Sequence, residues 1–339
     1  MRDAPYPTEL KPYGRALLAL ARTRDDILCI TGDLTRQCEI DLFQEALPDR
    51  FIHAGMAEAN MMSMAGGLAR RGFIPFVHTF GVFATRRPYD QIVNAIAYPK
   101  LPVRIVGFMP GVSTPGGPSH QAIEDIAIMR AIPGMTIVDV ADAREIAEAV
   151  TEIVDLPGPV YLRLKRGEVP LIFDEDHRFR FGKADVIRGA GDVAILTSGM
   201  MLASAIQAAD ALETAGVSAA LVHVPVVKPL DVDTLRGVIG QAKTVVTVEN
   251  HNVVGGLGTA VAELIAEEGL GVRLARVGLQ DTYAEGSLDA PHLFLKYGLS
   301  SQHVVDAAWT LASKAGIAPR RDAPRVVSVP VQAGEYAPV

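Results

Sequence analysis

Glu58 is the sole acid between Ala54 and Phe80, in AGMAEANMMSMAGGLARRGFIPFVHTF. It stands where an apolar helix rich in small residues should begin. A first-turn acid complements the positive end of the helix dipole, and that alone accounts for many such residues. Here the neighbours are apolar or small, so the carboxylate is poorly solvated. Poorly solvated acids hold their protons more tightly and gather at functional sites. Phe80 and Phe83 follow in TFGVFATRRPYDQI, just past the C-terminal end of a strand. Open α/β sheets place their ligands there. An aromatic pair beside a protonatable acid suits a flat, nitrogen-containing ring.

Other chemistry-bearing patterns are weaker. The glycines of VVGGLGTAV (Val253–Val261) lie between a strand and a helix, but their spacing is not G-x-G-x-x-G. No acid stands at a strand end about 20 residues on, as a ribose contact requires, so the segment reads as a tight turn. There is no Walker loop and no H-E-x-x-H. The eight histidines are scattered, with none paired at metal-ligand spacing, and His53 and His78 each read as satisfied core histidines. Cys29 and Cys38 make neither a disulfide framework nor a metal site, and Cys29 reads as a buried filler.

The elements that must position Glu58 and the two phenylalanines show in the hydrophobic pattern. DDILCITGD, FIPFVHTF, PVRIVGF, MTIVDV and VYLRLK read as buried strands. Asn60–Arg71, Tyr89–Ala97, Ala122–Met129 and Ala143–Val154 read as helices between them. This alternation predicts a doubly wound parallel sheet. The polar stretch LIFDEDHRFRFGK reads as a linker. A second set follows, with DVAILTSG, SAALVHVPVV, KTVVTVEN and VRLARVGL as strands. Met201–Ala215, Asp231–Gln241 and Leu257–Glu268 are its helices. The expected organisation is an α/β domain over 1–172, a linker over 173–184, a smaller α/β domain over 185–315 and a tail over 316–339. The 339 residues suit two domains, and 49% hydrophobic residues with 21% charged ones suit a globular chain. A formal net charge of -7 without a basic block argues against nucleic acid and anionic membranes as partners. No apolar run reaches the roughly 18 residues of a spanning helix, and MRDAPYPTEL lacks the apolar core of a signal peptide, so a cytoplasmic location is expected.

Four segments in order, GMAEANM (55–61), TFGVFATRRPYDQI (79–92), GGPSHQAIEDIAIMRAIPGM (116–135) and KYGLS (296–300), resemble the C-terminal half of transketolase. They most resemble the separately encoded C-terminal subunit of split bacterial transketolases, over roughly residues 8 to 315. The resemblance implies an α/β fold: a thiamine-diphosphate-binding pyrimidine domain followed by the transketolase C-terminal domain. It implies that Glu58 activates the cofactor by hydrogen-bonding N1′ of the aminopyrimidine, promoting proton loss from thiazolium C2. Such an acid shares a proton with a ring nitrogen rather than pairing with a lysine. By the same resemblance Phe80 and Phe83 line and stack on the pyrimidine, and Asp33 in GDLT lies close to the cofactor at a subunit interface. His120 in GPSHQ contacts donor oxygens and shuttles a proton, and Arg166 in RLKRGE grips a substrate phosphate.

The family's G-D-G…N motif, which holds Mg²⁺ and the diphosphate, is not found in the sequence. The resemblance therefore implies a partner: an N-terminal subunit carrying that domain and the Mg²⁺ ligands, in an α2β2 assembly acting on a small sugar. The chain also departs from the family where substrate is read. Gly116 stands for an acid that contacts donor hydroxyls, and Leu10, Gln37 and Phe108 stand for phosphate-contacting residues. The glycine is expected to vacate volume for an unusual donor. Two other readings stay open: the β subunit of a 2-oxo-acid-using thiamine-diphosphate enzyme, and a non-catalytic regulatory subunit.

Overall fold

The computed structural model describes residues 5–287, 289–317 and 322–326. The tail expected over 316–339 falls mostly outside them. A seven-stranded sheet forms the first half. From edge to edge it runs Val226–Lys228, Thr136–Asp139, Val160–Leu164, Arg104–Phe108, Ile74–Phe80, Ile27–Thr31 and Phe51–His53. All neighbours are parallel except the first pair. Ile27–Thr31 and Ile74–Phe80 are buried at every residue because helices cover both faces, which is why they read as unbroken apolar runs. Successive residues serve opposite layers. Cys29 and Phe76 pack with Tyr13, Leu17 and Ile146 on one face, whereas Ile30 and Val77 pack with Met61 and Ile96 on the other.

Glu58–Ala69 is the helix on that second face, and Glu58 is its first residue. Its small residues have a steric cause. A Cβ on Gly66 would lie 2.5 Å from the Ala95 carbonyl oxygen, so the helix can pack this closely against Ile92–Ala97 only through a glycine. The expected helix Tyr89–Ala97 is one α-turn, Tyr89–Gln91, continued by a π-helical stretch over Ile92–Ala97.

The second sheet has five strands, in the order Arg273–Leu279, Thr244–Asn252, Val193–Thr197, Ala219–His223 and Asp185–Arg188. The last is an antiparallel edge. SAALVHVPVV, expected as one strand, is two strands in different sheets. Ala219–His223 stays in the second sheet, while Val226–Lys228 crosses to pair with Thr136–Asp139 of the first. Pro225 lies between them and has no N–H to continue the ladder. Its carbonyl accepts from Asp139 N at 2.8 Å, which passes the chain to the other sheet. The 173–184 segment contains no helix or strand, yet Phe173 and Phe179 are buried.

A buried polar network joins the two halves. Arg163 donates to Asp125 Oδ2 at 2.8 Å and to the Asn250 carbonyl at 2.7 Å. Tyr161 donates to Asp125 at 2.7 Å, and Ser198 to Asp139 at 2.8 Å. Buried charges persist only when paired and hydrogen-bonded in this way. The flanking charge of Arg163 holds the Asp125 carboxyl below its usual range despite burial. Among the described residues, no helix is long and apolar enough to cross a membrane.

Candidate active site

The C-terminal ends of the central parallel strands form the rim of the site. Phe80 closes the strand Ile74–Phe80, and Phe83 follows in the short helix Gly81–Thr85. Their rings stack with centroids 6.0 Å apart and 23° between planes. His120 stands edge-on to both, 6.5 Å from Phe80 and 5.4 Å from Phe83. The Arg166 guanidinium carbon lies 5.6 Å from the Phe80 ring centre. The fold thus brings together Phe80, Phe83, His120 and Arg166, residues separated by up to 86 positions (166 − 80) in the chain.

Glu58 joins this cluster through Arg87. Its carboxylate is 4% exposed, and Oε1 accepts from Arg87 Nη1 at 2.7 Å. The same guanidinium carbon lies 4.1 Å over the Phe83 ring. The acid meets no lysine among the described residues; its cationic partner is an arginine supplied by the TRRPYDQ turn, which residue spacing did not single out. Among the described residues, Oε2 accepts no hydrogen bond. One oxygen of a nearly buried acid, beside aromatic faces, is therefore left for a ring N–H or ring nitrogen.

Asp33 lies on the same rim, one residue past Gly32 and the strand Ile27–Thr31. It adopts a left-handed φ of 71°, which few residues other than glycine, asparagine and aspartate tolerate. His53 Nε2 lies 2.9 Å from Asp33 Oδ1, and both side chains are about half exposed. His53 is thus a surface partner of Asp33 and not a core histidine. His78 is the core histidine. It is wholly buried, with Tyr13 Oη 2.6 Å from Nε2 and the Ile30 carbonyl 2.9 Å from Nδ1.

Two acids and an arginine position the loops of the site. Arg86 donates to the Pro118 and Gln121 carbonyls, each at 3.1 Å, and pairs with Glu124. It thereby clamps the loop that carries His120. The other side of that loop is fixed to the second half, where Ser287 N donates to the Pro115 carbonyl at 3.0 Å and Gly116 pairs with Gly286. Buried Glu39 accepts from Gly167 N at 2.9 Å and from Gly14 N at 3.3 Å, fixing the backbone beside Arg166. Burial pushes its carboxyl up to about 7 against those donors. Lys165, also buried, is pulled down to about 8 by desolvation.

Two expectations about substrate reading change. A Cβ on Gly116 would lie 2.9 Å from His120 Cβ and 3.0 Å from its Cγ. The space a side chain would take there is filled by His120, so the expected vacated volume is absent. Phe108 is fully buried, edge-on to Tyr13 at 5.4 Å, and cannot touch a substrate. Leu10 and Gln37 are exposed. Arg86 and Arg87 are adjacent arginines visible in the sequence, but neighbours on a turn point in different directions, and spacing does not tell which one meets Glu58.

The VVGGLGTAV turn binds no phosphate in this fold. The Glu249 carboxylate accepts from Leu257 N at 2.7 Å and Gly258 N at 2.9 Å, occupying the helix N-terminus where an anion would sit.

Residues 10–172 match the family described as transketolase, pyrimidine binding domain, and residues 182–318 match transketolase, C-terminal domain. The chain is 44% identical over 306 residues to the transketolase family protein y4mN of Sinorhizobium fredii, covering 89% of this chain and 88% of that one. It is 40% identical over 297 residues to the 6-deoxy-6-sulfo-D-fructose transketolase subunit SqwH of a Clostridium species, covering 87% and 92%. A solved split gene transketolase, an inactive β4 tetramer, superposes with a TM-score of 0.83 at 39% identity, covering 89% of this chain and 97% of that one.

Proposed function

Because the chain belongs to the transketolase family, we propose that it is the C-terminal subunit of a two-chain, thiamine-diphosphate-dependent enzyme that transfers a two-carbon ketol unit between sugars or sugar phosphates. The observation that carries this is the Glu58 carboxylate: nearly buried, open at Oε2, and linked through Arg87 to the Phe80–Phe83 stack. An acid and aromatic faces so arranged fit an aminopyrimidine. Thiamine diphosphate, when bound, supplies a nucleophilic carbon that accepts and passes on the ketol fragment, a chemistry the side chains cannot supply themselves.

This chain's residues do the rest. Glu58 holds a proton at the pyrimidine N1′. Phe80 and Phe83 pack on the ring, a contact worth about 0.5–1.5 kcal/mol beyond burial. His120 faces the donor's oxygens as a hydrogen-bonding and proton-carrying group. Arg166 meets an anionic substrate terminus, and Asp33 with His53 lies toward a cofactor shared with a second subunit. No G-D-G…N motif occurs in the sequence, so a partner subunit holds the Mg²⁺ and diphosphate, in an α2β2 assembly. The inactive state of the β4 neighbour agrees with that division of labour. The replaced grips at Leu10 and Gln37 and the sulfonated sugar in the name of one relative favour a substrate pair outside the usual pentose phosphates.

The test is hydrogen–deuterium exchange at C2 of thiamine diphosphate in the complex with the diphosphate-domain subunit. Glu58→Gln is expected to collapse exchange while the circular dichroism of the chain is unchanged. Exchange at the wild-type rate in that variant would remove Glu58 from the chemistry and favour a regulatory subunit.

A further inference from the structure

We propose that Glu145, His177 and Asp185 bind a divalent transition metal ion of the zinc type where three parts of the chain meet. Glu145 lies on the helix Ala143–Ile153, His177 in the 173–184 connection, and Asp185 at the start of the second sheet's edge strand. One ligand atom from each lies within 4.8 Å of the other two. Among the described residues the cluster shares no member and no hydrogen-bond partner with Glu58, Phe80, Phe83, His120 or Arg166, so it is separate from the site described above.

The hydrogen bonding around Glu145 points to a ligand. Its carboxylate is wholly buried. Oε2 is satisfied by Ala141 N at 2.8 Å and His223 Nε2 at 2.9 Å. Oε1 is buried and makes no hydrogen bond; it faces His177 Nε2 at 3.5 Å, an ion-pair contact too long for a hydrogen bond, and that nitrogen is buried and makes no hydrogen bond either. An unsatisfied buried carboxylate oxygen is costly and calls for an explanation. A 3.5 Å separation is long for a hydrogen bond but close to the edge of a tetrahedron with bonds of about 2.1 Å, the zinc–nitrogen and zinc–oxygen distance. Both atoms are placed as two ligands of one ion would be.

The surroundings hold that geometry. The His177 ring stacks on Phe173 with centroids 3.7 Å apart and 6° between planes. His223 is the cross-strand partner of Asp185 and acts as a positioning residue, turning Glu145 so that Oε1 faces His177. One imidazole with two carboxylates disfavours magnesium and calcium, which take oxygen ligands, and suits zinc. A cleft of about 720 Å³ lined by His177, Asp185, Arg180 and Lys183 gives an ion access and room for a water as fourth ligand. An ion here would clamp the first domain, the connection and the second sheet together.

The experiment is calorimetric titration of the untagged, chelator-stripped full chain with Zn²⁺, beside a Co²⁺ titration followed in the visible region. One Zn²⁺ per chain is expected, with intense tetrahedral cobalt absorption that zinc bleaches. His177→Asn, in a segment without regular structure, and Asp185→Asn, on an edge strand, should each weaken binding about tenfold or more. Folding of both variants is checked by circular dichroism. Absence of stoichiometric binding, or unchanged affinity in the His177→Asn chain, would overturn the site and leave a protonated His177 paired with Glu145.

Discussion

Arg87 donates to Glu58 Oε1 at 2.7 Å while lying 4.1 Å over the ring of Phe83. A single guanidinium therefore links the acid to the aromatic floor of the site. It donates to the carboxylate while its charged carbon lies over the ring, a double contact that suits the planar guanidinium better than a lysine ammonium. Arg87 is about half exposed, whereas Glu58 is nearly buried. Water thus screens the cation but scarcely reaches the acid.

From this pair follows a graded outcome. Arg87→Met keeps the packing over Phe83 and removes the hydrogen bond. After solvent screening that bond is worth about 1 kcal/mol. C2 exchange in the assembled complex is expected to slow about five- to tenfold, far less than in Glu58→Gln. An unchanged rate in Arg87→Met would reduce the pair to a surface contact with no part in orienting the acid.

Gly116 yields a different prediction from the one its sequence position suggests. Because a Cβ there meets the His120 side chain at 2.9 Å, Gly116→Ala and Gly116→Asp should both displace His120. Each is expected to lower kcat/KM about tenfold or more for every donor, since a misplacement of about 1 Å can cost more than that. Steady-state kinetics with xylulose 5-phosphate and with non-standard ketose donors would show it. Should Gly116→Ala keep full activity while Gly116→Asp narrows the donor range, the glycine acts on hydroxyl selection and not through His120.

His78 makes stability depend on pH in the acid range. Burial lowers its imidazole from 6.5 to about 4, with the Ile30 carbonyl opposing. A base depressed in the folded state contributes stability above its unfolded value, and that contribution fades as pH falls from 6.5 toward 4. The full effect is about 3 kcal/mol. The imidazole signal of His78, followed by NMR with labelled histidine, should stay neutral down to pH 5. The denaturation midpoint should fall over the same window, and less steeply in His78→Gln. Protonation of the folded-state ring near pH 6.5 would contradict its enclosure by Tyr13 and Ile30.

Much of this was legible beforehand because it is local. Unbroken apolar runs such as Ile27–Thr31 announce strands covered on both faces, and the helix of Glu58–Ala69 shows in its small residues and its leading acid. The exchange of Val226–Lys228 into the first sheet was not legible. Both sheets accept the same β-branched residues, and only the path of the chain past Pro225 decides between them. The Arg163–Asp125–Asn250 network was equally hidden, since nothing in VYLRLK tells a buried arginine from one on the surface.

The sequence by itself determined the alternation of strands and helices and the family, and singled out Glu58, Phe80 and Phe83 as candidates, because residue type and short-range periodicity carry that information. Only the tertiary structure decided which charges meet. Arg87 reaches Glu58 across 29 positions and Glu145 meets His223 across 78. Such pairings depend on how sheets, helices and loops are brought face to face, and burial then decides whether a pair is screened by water or left to a ligand.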